Sequence, residues 1–222
     1  MDIDQIYDEL SLQIDKNRMI PDAPMQEYTS FRAGGNAALL VKPGNAKELS
    51  YALKMLSERG VGHMVIGNGS NVLVKDSGYR GVILRIAEPF QEINVTGDRM
   101  EAGAGVSLSA AARAAQGASL TGFEFASGIP GTVGGAVFMN AGAYDGEISH
   151  ILESAEILSA DGSRVFTLIK DEMGLSYRRS ILQRTGDVLL RAVFRLEEGD
   201  REKSDARIRE LTVRRTEKQP LN

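Results

Sequence analysis

Ser127-Gly128-Ile129-Pro130-Gly131-Thr132-Val133-Gly134-Gly135-Ala136-Val137-Phe138-Met139-Asn140-Ala141-Gly142-Ala143-Tyr144-Asp145-Gly146-Glu147 is the stretch on which the fold reading turns. Glycine stands at 128, 131, 134, 135, 142 and 146, and alanine at 136, 141 and 143. A backbone so poor in side chains approaches another surface closely and leaves N–H groups free to point at it. Pro130 fixes one turn, and Asn140 is the one long amide in the middle. The plain alternative is a glycine-rich surface loop, since long irregular loops are either functional or disordered. Val133, Val137, Phe138 and Met139 argue against disorder.

With 222 residues, the chain holds one large domain or two small ones and has enough length to bury a core. A net charge of −4, with Lys and Arg scattered, offers no basic footprint for nucleic acid. The densest basic cluster, at 201–218, is interleaved with acids and reads as a solvated helix face. No apolar run reaches membrane-spanning length, and a start carrying Asp2, Asp4, Asp8 and Glu9 is not a signal peptide. There is no cysteine, which excludes disulfides, thiolate metal sites and thiol redox chemistry. The two histidines, His63 and His150, are far apart, which disfavours zinc. A cytoplasmic protein fits these features, and any redox work falls to a bound organic cofactor.

The periodicity predicts an amphipathic helix over 2–17, capped by Asp2, with Pro21 and Pro24 breaking the chain after it. A short strand is expected at 37–41, then a helix over 45–59 capped by Asn45 and stopped by Gly60. Strands follow at 63–66, 72–74 and 82–86, so this half reads β-α-β-β. A hairpin around Gly97-Asp98 joins 93–96 to 100–102, and a short helix covers 109–116. Strand 155–159 pairs with 165–168, 171–175 makes a helical turn, and 188–196 alternates as a strand. Glu124, between Phe123 and Phe125, is expected to face out from a strand-like stretch, although an acid flanked by aromatics can acquire a shifted pKa. A charged helix at 200–217 has Ile208, Leu211 and Val213 on its narrow apolar side and runs into Gln219-Pro220-Leu221-Asn222. That ending reads as a connector to a further domain; a frayed tail is the alternative.

Gly67-Asn68-Gly69-Ser70-Asn71 lies between two strands, where alternate glycines let consecutive N–H groups converge on phosphate oxygens. No Lys follows, so it is not a Walker A loop, and Val72 with no following helix excludes the dinucleotide G-x-G-x-x-G pattern. Taken alone, it is equally a plain hairpin turn. Gly103-Ala104-Gly105 is a bulge or a turn into the next helix. Two phosphate-friendly stretches about one subdomain apart suit a long ligand with a central pyrophosphate, held between subdomains. In Tyr177-Arg178-Arg179-Ser180, an arginine supplies a fixed cation with bidentate geometry for a carboxylate, or belongs to a surface pair.

Thr29-Ser30-Phe31-Arg32-Ala33-Gly34-Gly35, then residues 67–73, 127–135, 140–144 and 177–180, stand in the order and spacing of one family. From about residue 20 onward the chain resembles the UDP-N-acetylenolpyruvoylglucosamine reductases of bacterial peptidoglycan synthesis. The resemblance implies an α+β fold, the FAD-binding fold of the vanillyl-alcohol oxidase/PCMH type, in which two α+β subdomains clamp non-covalent FAD. The expected divisions are 1–87 and 88–199 for the subdomains and 200–222 for a connector helix. Ile66, Gly67, Asn68, Gly69, Ser70, Asn71 and Val72 would cradle the pyrophosphate. Ser127, Gly128, Ile129, Pro130, Gly131, Thr132, Gly134 and Gly135, with Asn140, Gly142 and Ala143, would line the rest of the cofactor.

The family reaction takes hydride from NADPH through FAD to the enolpyruvyl double bond of UDP-N-acetylglucosamine enolpyruvate. Negative charge builds on the substrate's carboxylate side, where a cation favours the transition state over the ground state. Arg178 matches the family's catalytic arginine and Tyr177 its substrate-side tyrosine. The resemblance also implies a monomer in the full-length form. No residue of this sequence matches the family's proton-donating serine or its carboxylate-side glutamate, which lie in a third domain, and Ser180 is not a substitute. The expectation is therefore an FAD-binding portion that does not turn over alone. Two other readings stay open: an oxidase or dehydrogenase of the same fold acting on another small molecule, and a non-catalytic nucleotide-binding module.

Overall fold

A computed structural model describes residues 2–86 and 90–218. The first helix, α1 (Ile3–Leu10), is capped by Asp2, whose Oδ1 accepts from the amides of Asp4 at 3.1 Å and Gln5 at 3.4 Å. It is shorter than the span 2–17 that its periodicity predicts. Past Leu10 the chain turns to bury Ile14, and Asp15 caps a 3-10 turn at Lys16–Arg18. Pro21 and Pro24 do not break the chain but lie within β1 (Met19–Pro24), antiparallel to β2 (Asn36–Val41). β1 is an edge strand, where a residue with no N–H to donate is tolerated.

Helix α2 (Ala46–Glu58) follows the sequence expectation closely. Asn45 Oδ1 accepts from Glu48 N at 2.9 Å, and Glu48 Oε2 accepts in return from Gly44 N at 2.6 Å. Leu49, Ala52, Leu53 and Leu56 form its buried face. β3 (His63–Ile66) and β4 (Tyr79–Arg85) complete a sheet of order β1-β2-β4-β3, with β2 and β3 both parallel to β4. The carboxyl ends of β2, β3 and β4 therefore share one edge. Residues 72–74 belong to no strand. Val72 and Val74 pack on a small core of Ala23, Met25, Ala37, Leu40, Ile66 and Ile83, while Leu73 is exposed.

The second sheet grows from the predicted hairpin, β5 (Ile93–Thr96) and β6 (Arg99–Gly103). Helix α3 (Leu108–Gly117) is capped by Ser107 and followed by β7 (Leu120–Thr121). The glycine-rich stretch is not an irregular loop throughout. It contains α4 (Val133–Phe138) and a small ladder of β8 (Gly142–Ala143) with β9 (Gly146–Glu147). After α5 (Ile148–Ile151) come β10 (Leu152–Leu158) and β11 (Val165–Ile169), paired with Ala155 opposite Leu168. A 3-10 turn at Lys170–Met173, α6 (Leu182–Thr185), β12 (Val188–Arg195), β13 (Glu197–Glu198) and α7 (Arg201–Lys218) follow. The sheet order is β11-β10-β12-β6-β5, antiparallel throughout.

One apolar cluster runs through both sheets, joining Leu39, Leu53 and Leu84 to Phe123, Ile157 and Phe194. Phe123 meets Phe194 edge to face at 5.0 Å between ring centres, a favoured aromatic arrangement. The β10–β11 turn docks on α2, where Ser50 Oγ donates to Gly162 O at 2.6 Å. The expected division at 87/88 and the Gln219-Pro220-Leu221-Asn222 ending lie outside the described residues. Among the described residues no helix is long and apolar enough to cross a membrane.

Helix α7 is held by polar contacts as much as by its single buried leucine, Leu211; Val213, expected on the apolar side, is exposed. Glu124 does not face outward. It begins a 3-10 turn, Glu124–Ala126, whose tight winding ends the strand-like alternation, and its carboxylate turns inward. There it accepts from Thr121 Oγ1 and Gly122 N, each at 2.8 Å, and from Ser204 Oγ of α7 at 2.7 Å. Tyr144 Oη donates to Leu211 O at 3.0 Å, and Gln116 bonds Asp205.

Two outcomes are expected. Asn45→Ala removes the α2 cap and costs about 1 kcal/mol, seen as a melting temperature lower by about 2–4 °C; an unchanged melt would refute the cap's contribution. For Glu124, burial pushes the carboxyl up, but the bonds from Ser204, Thr121 and Gly122 outweigh it and hold the group below its ordinary value of 4.5. A depressed folded value means stability that is present above the unfolded pKa and lost as pH falls through the folded one. The stability gap between the native chain and Glu124→Gln is expected to be constant above about pH 5.5 and to close below about pH 4.5, as read by denaturant titration.

Candidate functional site

Residues 67–71 leave the carboxyl end of β3 and are pressed between two other segments. Gly67 lies against the cap of α4, so that a Cβ there would collide with Thr132 Oγ1. Gly69, at φ +63°, backs onto residues 28 and 29, and a Cβ would strike the Tyr28 carbonyl. Ser30 N donates to Gly69 O at 3.2 Å. Ser70 Oγ stands 3.6 Å from where a Cβ on Gly131 would be. Three separated stretches, 28–30, 67–71 and 131–132, thus meet at one place. Among the described residues the N–H groups of 67–71 donate to no backbone carbonyl. Ile66 is buried, Gly67, Ser70 and Val72 are half-buried, and Asn68 and Asn71 are exposed.

The stretch 127–135 is clamped from below. Leu108 N donates to Gly131 O at 3.0 Å, Val133 N to Val106 O at 2.8 Å and Gly134 N to Ala104 O at 2.9 Å. Gly103-Ala104-Gly105 is therefore a turn that seats the start of α4, and Gly134 abuts it, its Cβ position 3.1 Å from Ala104 Cβ. Thr132 is buried and caps α4, accepting from Gly135 N at 3.3 Å. Ser127 and Ile129 are half-buried, and Pro130 is exposed. Gly128 is exposed beneath the Arg215 guanidinium of α7, whose Nη1 lies 3.2 Å from the Cβ position.

Asn140 is 2% exposed, and both ends of its amide are occupied. Its Nδ2 donates to Ser176 O at 3.0 Å, and its Oδ1 accepts from Ser149 N at 2.9 Å. It ties the end of α4 to the turn that carries Tyr177 and Arg178. That turn is closed by the Ser176–Arg179 bridge, with Arg178 at φ +57°. Arg178 Nη2 donates to Gly142 O at 3.2 Å, and its guanidinium lies 5.6 Å from the centre of the Tyr177 ring. Tyr177 is 84% exposed, Gly142 and Ala143 half-buried. Ser180 is buried and spends its hydroxyl on Phe138 O at 2.7 Å, which suits a structural role and not proton donation. Gln183 Nε2 supports the same turn, donating to Arg178 O at 3.0 Å and Phe138 O at 3.2 Å. Nothing in the sequence singled out Gln183, because its role depends on the backbone of Phe138, 45 residues away, meeting the arginine turn. Glu147 closes the group. Its carboxyl is held below the ordinary carboxylate value first by Ser149, then by Asn140, with burial opposing and His150 and Arg178 adding charge.

The residues fit a nucleotide cofactor. Loop 67–71 has amides without backbone partners and is too closely packed for a side chain at Gly67 and Gly69, an arrangement that can receive an oligophosphate. A shallow hollow of about 1070 Å³, lined by Asp98, His150, Glu153 and Arg195, lies elsewhere and is crossed by ion pairs, Arg195–Asp98 at 3.0 Å and Arg99–Glu153 at 2.9 Å. Among the described residues no cluster of three or more His, Asp or Glu is placed to hold a metal ion.

Residues 37–167 match the FAD binding domain family model. The UDP-N-acetylenolpyruvoylglucosamine reductase of Clostridium beijerinckii is 44% identical over 217 residues, 98% of this chain and 68% of that protein. The chain spans about two thirds of the length of the curated relatives it matches. The crystal structure of the enzyme of the same name from Thermus caldophilus superposes with a TM-score of 0.77 at 33% identity, covering 91% of this chain and 70% of that one. p-Cresol methylhydroxylase shares the fold alone, with a TM-score of 0.64 at 14% identity over 88% of this chain and 43% of its own. By the domain match and by the identity and coverage of these relatives, the chain belongs to the UDP-N-acetylenolpyruvoylglucosamine reductase family and carries its FAD-binding domain.

Proposed function

We propose that the chain holds FAD non-covalently as the FAD-binding part, inactive alone, of a cytoplasmic enzyme, monomeric in its full-length form, that performs the NADPH-dependent reduction of UDP-N-acetylglucosamine enolpyruvate in peptidoglycan synthesis. The observation that carries the reading is the meeting of 28–30, 67–71 and 131–132 around amides without partners. Bound FAD would supply two-electron hydride chemistry. The backbone of 67–71 would receive its diphosphate. Residues 127–135, with Gly142 and Ala143, offer a surface of little side-chain bulk for the rest of it. Asn140 acts here through the turn it anchors, since its amide is already engaged.

Arg178 supplies the positive charge. Its left-handed backbone and its bond to Gly142 O hold the guanidinium beside the glycine-rich segment. A cation fixed there favours the charge that develops on an enolpyruvyl carboxylate and needs no reorganisation at the moment of reaction. Tyr177 carries an exposed ring beside it, suited to stacking on an incoming substrate.

The first test is a visible spectrum of purified protein incubated with FAD and desalted. Retained flavin absorption is the expected result, and a folded, colourless protein counts against the proposal. The second concerns Arg178. Since the chain is expected not to turn over alone, the assay adds the family's third domain; where the native chain then reduces the enolpyruvyl substrate, Arg178→Ala is expected to lower kcat by about 10²–10³-fold while FAD retention stays intact. Undiminished turnover would remove Arg178 from the mechanism.

A further inference from the structure

Among the described residues two buried side-chain polar atoms have no hydrogen-bond partner, Thr29 Oγ1 and Arg85 Nε. Buried polar groups are nearly always satisfied, so an unpaired one marks strain or a missing partner. Both stand beside the same loop. Thr29 is 6% exposed, and its Cα lies 3.0 Å from where a Cβ on Gly69 would be. Arg85 is the last residue of β4 and pairs in register with Ile66, the residue before Gly67. The Arg85 guanidinium lies 5.3 Å from the centre of the Tyr28 ring, and Tyr28 immediately precedes Thr29.

The surroundings define what the missing partner is. Lys42, one residue past β2, places its ammonium 5.4 Å from the same Tyr28 ring. Lys42, Gly67 and Arg85 therefore mark the carboxyl ends of three mutually parallel strands, the edge at which open α/β sheets receive ligands. Neither Lys42 nor Arg85 belongs to an ion pair among the described residues. Two cations beside Tyr28, a hydroxyl beside Gly69 and the unpaired amides of 67–71 thus lie around one loop, and among the described residues neither cation is met by a carboxylate, which calls for an anion with several acceptor oxygens.

We propose that Thr29 and Arg85 are cofactor-binding residues that donate to the diphosphate of the dinucleotide, completing the grip begun by the amides of 67–71. This rests on the FAD reading above. The hydroxyl adds a neutral donor and the guanidinium a charge-assisted one, which is the stronger of the two.

The test separates ligand binding from folding. Thr29→Val keeps the shape and removes the hydroxyl. Because that hydroxyl has no partner in the protein, the melting temperature without FAD is expected to stay level or rise, while the FAD Kd weakens about tenfold. Thr29→Ser keeps a hydroxyl and is expected to stay within about threefold of the native chain. Arg85→Met is expected to weaken FAD binding by more than about tenfold at low salt, with a smaller loss at high salt, where screening blunts the native contact. ADP, which presents the diphosphate without the flavin, is the second probe, and its affinity should fall in parallel. The inference is overturned if both variants bind FAD as tightly as the native chain. It is overturned equally if Thr29→Val loses stability without FAD in proportion to its lost affinity. A native chain that binds no FAD overturns the functional reading itself, a result read before any variant is made.

Discussion

Gly67 lies on the Thr132 side chain and Gly69 on the Tyr28 backbone, and the arrangement of the site depends on those two contacts. A Cβ at Gly67 would push the loop away from the α4 segment of the second sheet's half, and one at Gly69 would push it away from the segment joining β1 to β2. The same closeness lets Thr132 cap α4 and abut the loop at once. The glycines here serve approach, and at Gly69 the left-handed φ as well.

The arginine turn is organised on a different principle. Its conformation is unfavourable by itself, with Arg178 in the left-handed region. Polar bonds to backbone hold it, from Asn140 to Ser176, from Ser180 to Phe138 and from Gln183 to Arg178. Such strain persists only where the surroundings over-determine it, and it gathers at working sites. The partners are buried or held on short helices, so the guanidinium position is inherited from the core instead of from the loop. Helix α7 adds a second brace through Glu124 and Tyr144, which pin it to the segment leading into and out of the glycine-rich stretch.

Local chemistry was legible in the residues themselves. Asn45 and Gly60 bracket α2, Gly97 turns the β5–β6 hairpin, and the glycine patterns at 67–71 and 127–135 point to close backbone approach. Caps, turn residues and alternation act within a few positions, so one sequence suffices to read them. The α+β class and the family resemblance followed from such motifs taken in order. Tertiary structure decided the rest. Pro21 and Pro24 read as breakers because their tolerance depends on β1 being an edge strand, which is a fact about sheet order. Glu124 read as solvent-facing because Ser204, its partner, is eighty residues away. The bonds that tie Asn140 to Ser176 and Ser149 join residues up to 36 positions apart, so its neighbours in sequence do not reveal them. The orphaned atoms of Thr29 and Arg85 are visible only once burial is known. Short-range signals specify elements. Which elements become neighbours, and so which polar groups are satisfied, is settled by long-range packing that no local pattern encodes.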